Sequence, residues 1–152
     1  MLPTPKKFAL VAATAEGATL LNAFDNCLLR AGIGNTNLLR VSSILPPGAE
    51  EIGELDIPPG SLLPTAYGAC GSDLPGDLIA AAVAVGRGEE GYGVIMEYSG
   101  HCSAAEAETK VKYMVELAFV ERGRRLVLCH TRSAEHRVKE MAYAFAAVPL
   151  IY

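Results

Sequence analysis

A chain of 152 residues with a formal net charge of -4 is sized for one domain that builds its own core without staples. Its basic residues cluster only at Arg122, Arg124 and Arg125, which argues against a nucleic-acid partner. No apolar run approaches the ~18 residues of a membrane-spanning helix, and residues 1–7, with Pro3, Pro5 and two lysines, read as mature sequence and not as a secretory leader.

In chain order, residues 8–13 predict a first strand. A helix follows over 17–30, with Leu20, Leu21, Phe24, Cys27 and Leu28 spaced for one apolar face. Gly32 and Gly34 end it. Residues 38–45 predict a second strand, and the Pro-, Gly- and Glu-rich stretch 46–60 a loop. Residues 62–69 predict a strand. Residues 78–85 are ambiguous, their alanines favouring helix and their flanking glycines a buried strand; strand is the expectation. Residues 92–99 predict another strand, and Ser103-Ala104-Ala105-Glu106 is a capping box opening a second helix. Val111, Met114, Val115, Ala118 and Phe119 share one face of that helix, which stops at Gly123. Strands over 126–131 and 142–148 close the chain. The order is not simple strand–helix alternation, so the expected fold class is an α/β (α+β) sandwich: two packed, mostly antiparallel sheets with a helix on each outer face.

Hydrophobic residues make up 51% of the chain and charged residues only 20%, which implies apolar surface covered in an oligomer. Cys27, Cys70, Cys102 and Cys129 lack a Cys-x-x-Cys spacing and fit reduced thiols in a cytoplasmic protein. His101-Cys102 and Cys129-His130 could in principle converge on zinc. Neighbours on a strand face opposite ways, however, so each pair easily offers one ligand, and no metal site is expected.

Ser42-Ser43 ends an apolar stretch and is followed almost at once by Pro46-Pro47-Gly48. The arrangement suits a strained bond attacked by its own side chain; it also suits a plain strand end before a proline turn. In the first case the Ser43 hydroxyl attacks the Ser42 carbonyl through an oxyanion, giving an ester. β-Elimination then frees the Ser42 carboxylate and leaves dehydroalanine, and hydrolysis releases ammonia and leaves a pyruvoyl group at position 43. Asn35 and Asn37 lie upstream at a turn and could donate to the oxyanion. Two further carboxylates stand out. Ile95, Glu97 and Ser99 share a strand face, so Glu97 is either desolvated with a raised pKa or turned to solvent or to a lysine. Asp25 falls between Leu21 and Leu28 on the helical wheel and wants a cation, whether a ligand or an internal arginine such as Arg40.

Several segments together resemble the pyruvoyl-dependent arginine decarboxylase family: Leu21-Asn22-Ala23-Phe24-Asp25, Ala31-Gly32-Ile33-Gly34-Asn35, Asn37-Leu38-Leu39-Arg40-Val41-Ser42-Ser43-Ile44, Pro64-Thr65-Ala66-Tyr67-Gly68, Ile95-Met96-Glu97-Tyr98 and Ala144-Phe145-Ala146-Ala147. They run through nearly the whole chain. The departures are a short N-terminus and the residues Ser99 to Cys102. The resemblance implies autocatalytic cleavage between Ser42 and Ser43 into fragments 1–42 and 43–152. It also implies a covalent pyruvoyl cofactor from Ser43, L-arginine as substrate and agmatine as product. Glu97 would then be the proton donor, Asn37 would support processing, and Asp25 would bind the guanidinium. A homotrimer with sites between subunits is implied as well. The competing readings are an N-terminal-serine hydrolase and an unprocessed, non-enzymatic assembly protein of the same fold.

Overall fold

Residues 80–85 are buried on both faces, as a strand sandwiched between layers must be. Ala80, Ala82 and Ala84 face one helix, while Ile79, Ala81, Val83 and Val85 face the opposite sheet. The alanines are there because small side chains let a helix lie close against the strand. Helix propensity is overridden by this packing.

In the computed structural model, which describes residues 2–152, the elements run β1 (Lys7–Phe8), β2 (Val11–Glu16), α1 (Leu20–Arg30), β3 (Asn37–Arg40), β4 (Ile44–Leu45), β5 (Glu50–Glu51), β6 (Leu62–Ser72), β7 (Leu78–Arg87), β8 (Gly93–Gly100), α2 (Ala104–Glu121), β9 (Leu128–Arg137) and β10 (Ala142–Ile151). The first sheet has the order β3-β6-β10-β1-β5, with β2 also paired to β10; the second has the order β4-β8-β7-β9. Only β1–β5 and β3–β6 are parallel. One core lies between the sheets and includes Phe8, Leu45, Val83, Ile95 and Val148. A second lies under α1, around Cys27, Ile33 and Phe145, and a third under α2, around Val111, Val115 and Phe119. This is the expected sandwich with a helix on each outer face.

The helices begin where hydroxyl caps place them. Thr19 accepts from the Asn22 N–H at 3.1 Å, and Ser103 accepts from the Glu106 N–H at 3.1 Å. Helix α2 buries Val111, Val115, Ala118 and Phe119 as anticipated. Its close approach depends on Gly86, where a Cβ would lie 2.3 Å from Val115 Cγ1.

Three expectations need correction. The apolar face of α1 is Ala23, Cys27 and Leu28, whereas Leu21 is 77% exposed. The first expected strand is divided into β1 and β2, which keep one register along β10 (Phe8↔Leu150, Val11↔Ala147). The interruption falls opposite Pro149, which has no N–H to give back to Ala9. Above all, residues 38–45 do not form one strand: β3 belongs to the first sheet and β4 to the second. Continuous apolar character conceals a change of sheet, since both halves bury residues without altering the pattern.

The β9–β10 turn is fastened from a distance. The Glu16 carboxylate accepts from the main-chain N–H groups of Lys139, Glu140 and Met141 and pairs with His136 Nε2. Burial pushes this carboxyl's pKa up, but the three N–H donors and His136 together outweigh it and bring it down from 4.5 to about 2. A carboxylate whose folded pKa is depressed stabilises the fold above its unfolded value and loses that contribution as pH falls. Wild-type protein should therefore lose stability between about pH 4.5 and about pH 2 through this group. Glu16→Gln should be less stable at neutral pH, with the gap closing across that window in pH-dependent denaturant melts.

Candidate active site

Where β3 ends, the chain crosses from one sheet to the other, and Ser42 and Ser43 occupy the crossing. On the upstream side the Val41 N–H donates to the Thr65 carbonyl of β6 at 3.2 Å. On the downstream side the Ile95 N–H of β8 donates to the Ser43 carbonyl at 2.8 Å. The reciprocal bond of an antiparallel pair, from the Ser43 N–H to the Ile95 carbonyl, is not made among the described residues. The Ser42–Ser43 amide thus stands outside the ladder while both flanks are held. Strain of the left-handed kind is not how the bond is prepared, because no described non-glycine residue has a positive φ.

Leu45, 1% exposed, pins the strand just beyond the crossing. Truncating such a leucine to alanine typically costs ~2–5 kcal/mol. Its seat requires glycine opposite, since a Cβ at Gly93 would lie 2.7 Å from the Gly86 carbonyl oxygen and 3.2 Å from Leu45 Cβ. The register Ile44↔Val94 and Leu45↔Gly93 sets residue 43 opposite residue 95. Ser43, Ile95 and Glu97 therefore share the face of the second sheet that looks at the first. Glu97 is two residues beyond Ile95, ~7 Å along the strand. Ser42 is exposed, Ser43 is half-buried, and an apolar hollow of about 340 Å³ lined by Leu39, Val41, Ser42, Ile44 and Pro64 adjoins them.

Glu97 packs over Gly68 of β6, where a Cβ would come 3.4 Å from the Glu97 Cβ. The edge of β6 at this point carries no strand, and side chains take its carbonyls instead. Arg40 Nη2 donates to the Tyr67 carbonyl at 2.9 Å, with the guanidinium 4.6 Å from the centre of the Tyr67 ring. Ser99 Oγ donates to the Ala69 carbonyl at 3.0 Å. Burial pushes the Glu97 carboxyl's pKa up, and the positive charge of Arg40 pulls partly against it. Ile95, Glu97 and Ser99 do share a face, as anticipated, and among the described residues no lysine pairs with Glu97.

The structure thus brings together a carboxyl whose pKa burial raises, a serine pair outside either ladder and a main-chain hydrogen bond on each side of that pair. Over residues 7–152 the chain matches the family model described as "Pyruvoyl-dependent arginine decarboxylase". The chain belongs to that family. It is 48% identical over 150 residues to the pyruvoyl-dependent arginine decarboxylase of Methanocaldococcus jannaschii, covering 97% of this chain and 91% of the relative. The protein of that name from Thermococcus sibiricus is 51% identical, covering 97% and 96%, and that from Pyrococcus horikoshii 49% identical, covering 98% and 96%. A pyruvoyl group derived from Ser43 fits the residues present. The serine's carbonyl is fixed by Ile95, and Glu97 shares its sheet face two residues farther along β8, packed over Gly68.

The other expected site residues do not gather here within one protomer. Asn37 Nδ2 donates to the Gly60 carbonyl at 3.3 Å, and ~17 Å of extended chain separates it from Ser42. Asn35 lies farther upstream, its carbonyl accepting from the Gly60 N–H at 2.7 Å. Asp25 is exposed on α1 between Leu21 and Leu29, which are 77% and 51% exposed. Arg40 does not pair with Asp25; it turns to Tyr67 and Glu97. His101 and His130 face carboxylates, Asp77 at 3.6 Å and Glu51 at 2.9 Å. Sequence reading missed Arg40 as the neighbour of Glu97, along with Gly68 and Ile95, because each acts through tertiary placement. Only the position of Arg40, two residues before the serines, gave a signal.

Removing the Arg40 charge takes away the influence that lowers Glu97. In an uncleaved Ser43→Ala background, Arg40→Gln should move the Glu97 titration to higher pH, and Arg40→Lys should move it less. Carboxyl carbon-13 NMR, assigned with Glu97→Gln, measures this; an unmoved titration would show that the guanidinium is not coupled to the acid.

Proposed function

We propose that this protein decarboxylates L-arginine to agmatine and carbon dioxide, with a pyruvoyl group that it makes from Ser43 by cutting the Ser42–Ser43 bond. The observation that carries the reading is the location of that bond at the crossing between sheets, facing the same space as Glu97. Family membership supports the chemistry, and the match extends over residues 7–152.

In processing, the Ser43 hydroxyl attacks the Ser42 carbonyl and the chain separates into 1–42 and 43–152. The backbone bonds of Val41 to Thr65 and of Ile95 to Ser43 hold the two new ends close to where they were made. A pyruvoyl group supplies an electron sink for the pair left behind when carbon dioxide departs, the task pyridoxal phosphate performs in other enzymes. Glu97 supplies the proton that replaces the carboxylate on the α-carbon. Its raised pKa suits this role, because a general acid must hold its proton near the working pH. Activity limited by this group falls as pH rises through its pKa.

Asp25 is the partner for the substrate guanidinium and Asn37 the support for processing, each supplied across a subunit boundary. A homotrimer with its sites between protomers accounts for two observations together. The residues with these roles lie away from Ser43 in their own protomer, and exposed apolar side chains surround them: Leu21 and Leu29 beside Asp25, Leu39 and Leu62 near Asn37. A cytoplasmic location is supported by four unpaired cysteines and by the absence of any helix, among the described residues, long and apolar enough to cross a membrane.

Purified protein should give two bands on a denaturing gel and Ser43→Ala one; two bands from Ser43→Ala would refute the nucleophile. Intact mass decides against the N-terminal-serine alternative, since fragment 43–152 should lack a free amine and react with borohydride. Glu97→Gln should still cleave, yet lose ~10²–10⁴-fold in agmatine formation. Unchanged turnover in that variant would remove Glu97 from the role of acid.

A further inference from the structure

One hydrogen bond at the crossing reaches an atom that changes its electronic character during processing. The Ile95 N–H lies 2.8 Å from the carbonyl oxygen of Ser43, the residue whose side chain is consumed. We propose that this main-chain N–H is a catalytic group of the self-processing reaction, stabilising the negative charge that moves onto the Ser43 carbonyl oxygen when residue 43 loses its Cα proton.

The chemistry of that step fixes where a donor is useful. Once the Ser43 hydroxyl has taken the Ser42 acyl group, the Cα–H bond of residue 43 breaks and its proton passes to water. The electron pair becomes the Cα=Cβ double bond, the Cβ–O bond breaks, and Ser42 leaves as a carboxylate. A proton next to an amide carbonyl is a weak acid, and its removal spreads charge onto that carbonyl's oxygen. A fixed N–H aimed at this oxygen lowers the barrier as oxyanion-hole donors do, and removal of one such donor typically slows a reaction by ~10²–10³-fold.

Three features make Ile95 a placed donor and not an incidental ladder bond. The strand it meets, β4, is only two residues long, and Ser43 lies just outside it. The reciprocal bond from the Ser43 N–H is missing among the described residues, so position 43 receives a donor while its own amide stays free for the acyl shift. The donor is rigid: the Ile95 side chain is fully buried between the sheets, and β8 is paired to β7 from Gly100 through Val94. Because Ser43 and Ile95 both lie in fragment 43–152, the same N–H stays on the same carbonyl after the cut.

This inference rests on the processing reaction proposed above, and the experiment separates the two. Incorporating the α-hydroxy analogue of isoleucine at position 95 replaces that N–H by an ester oxygen and keeps the side chain. The control makes the same exchange at Val127, whose N–H donates to the Arg87 carbonyl at 2.9 Å, away from the serines. The readout is the rate at which amine-free fragment 43–152 appears by intact mass, with no decarboxylation involved. The ester at 95 should slow it about a hundredfold. The ester at 127 should leave it within about twofold of wild type, as a ladder bond remote from the reacting atoms should. Equal slowing by both, or wild-type rate with the ester at 95, overturns the inference; wild-type protein that never cleaves overturns the processing reading instead. A second measurement does not need the ester variant to fold. In Ser43→Ala protein, NMR should detect a scalar coupling across the hydrogen bond between the Ile95 amide nitrogen and the residue 43 carbonyl carbon. Absence of that coupling, with the corresponding coupling from Val127 to Arg87 present, would sink the inference.

Discussion

Residues 41–43 leave one sheet and enter the other, and a single main-chain bond grips the chain on each side: Val41 to Thr65, and Ile95 to Ser43. A crossing segment cannot belong to either ladder, so its amides are released from the pairing that protects strand interiors. That is the constraint from which the site follows. It exempts one peptide bond from the sheet and denies its ends the freedom to drift. It also sets Ser43 on the face from which Glu97 projects.

The end of β3 at Arg40 has a second effect. It bares the edge of β6, and side chains satisfy the carbonyls there: the Arg40 guanidinium at Tyr67 and the Ser99 hydroxyl at Ala69. An edge completed in this way puts a cation and a hydroxyl beside a half-buried carboxyl, which a paired strand would have excluded. Glu97 thus lies between opposing influences, burial raising its pKa and Arg40 lowering it. Gly68 lies directly under the Glu97 side chain, where a Cβ would meet Glu97 Cβ at 3.4 Å and Cγ at 3.5 Å.

Much of this architecture was legible in the residues. Capping at Ser103, the face of α2 and the shared face of Ile95, Glu97 and Ser99 all depend on local spacing, which sequence displays directly. The change of sheet at 41–43 was not legible, since Leu38, Leu39, Val41, Ile44 and Leu45 look alike whether they line one core or two. Nor was the exposure of Leu21, because a helical wheel reports an apolar stripe without saying whether the domain or a neighbouring protomer covers it. Arg40, Gly68 and Ile95 act through partners 27 or more positions away in the chain, or through the main chain itself, and periodicity carries no such information.

The segment ahead of the serines owns no sheet. Its strands β1, β2 and β3 pair only with β5, β6 and β10, all of which come later in the chain. Made alone, residues 1–42 would have a helix and three orphan strands with nothing to zip against. On the proposed cleavage, assembly must therefore come before scission, with the intact polypeptide the template on which the two halves are already interwoven.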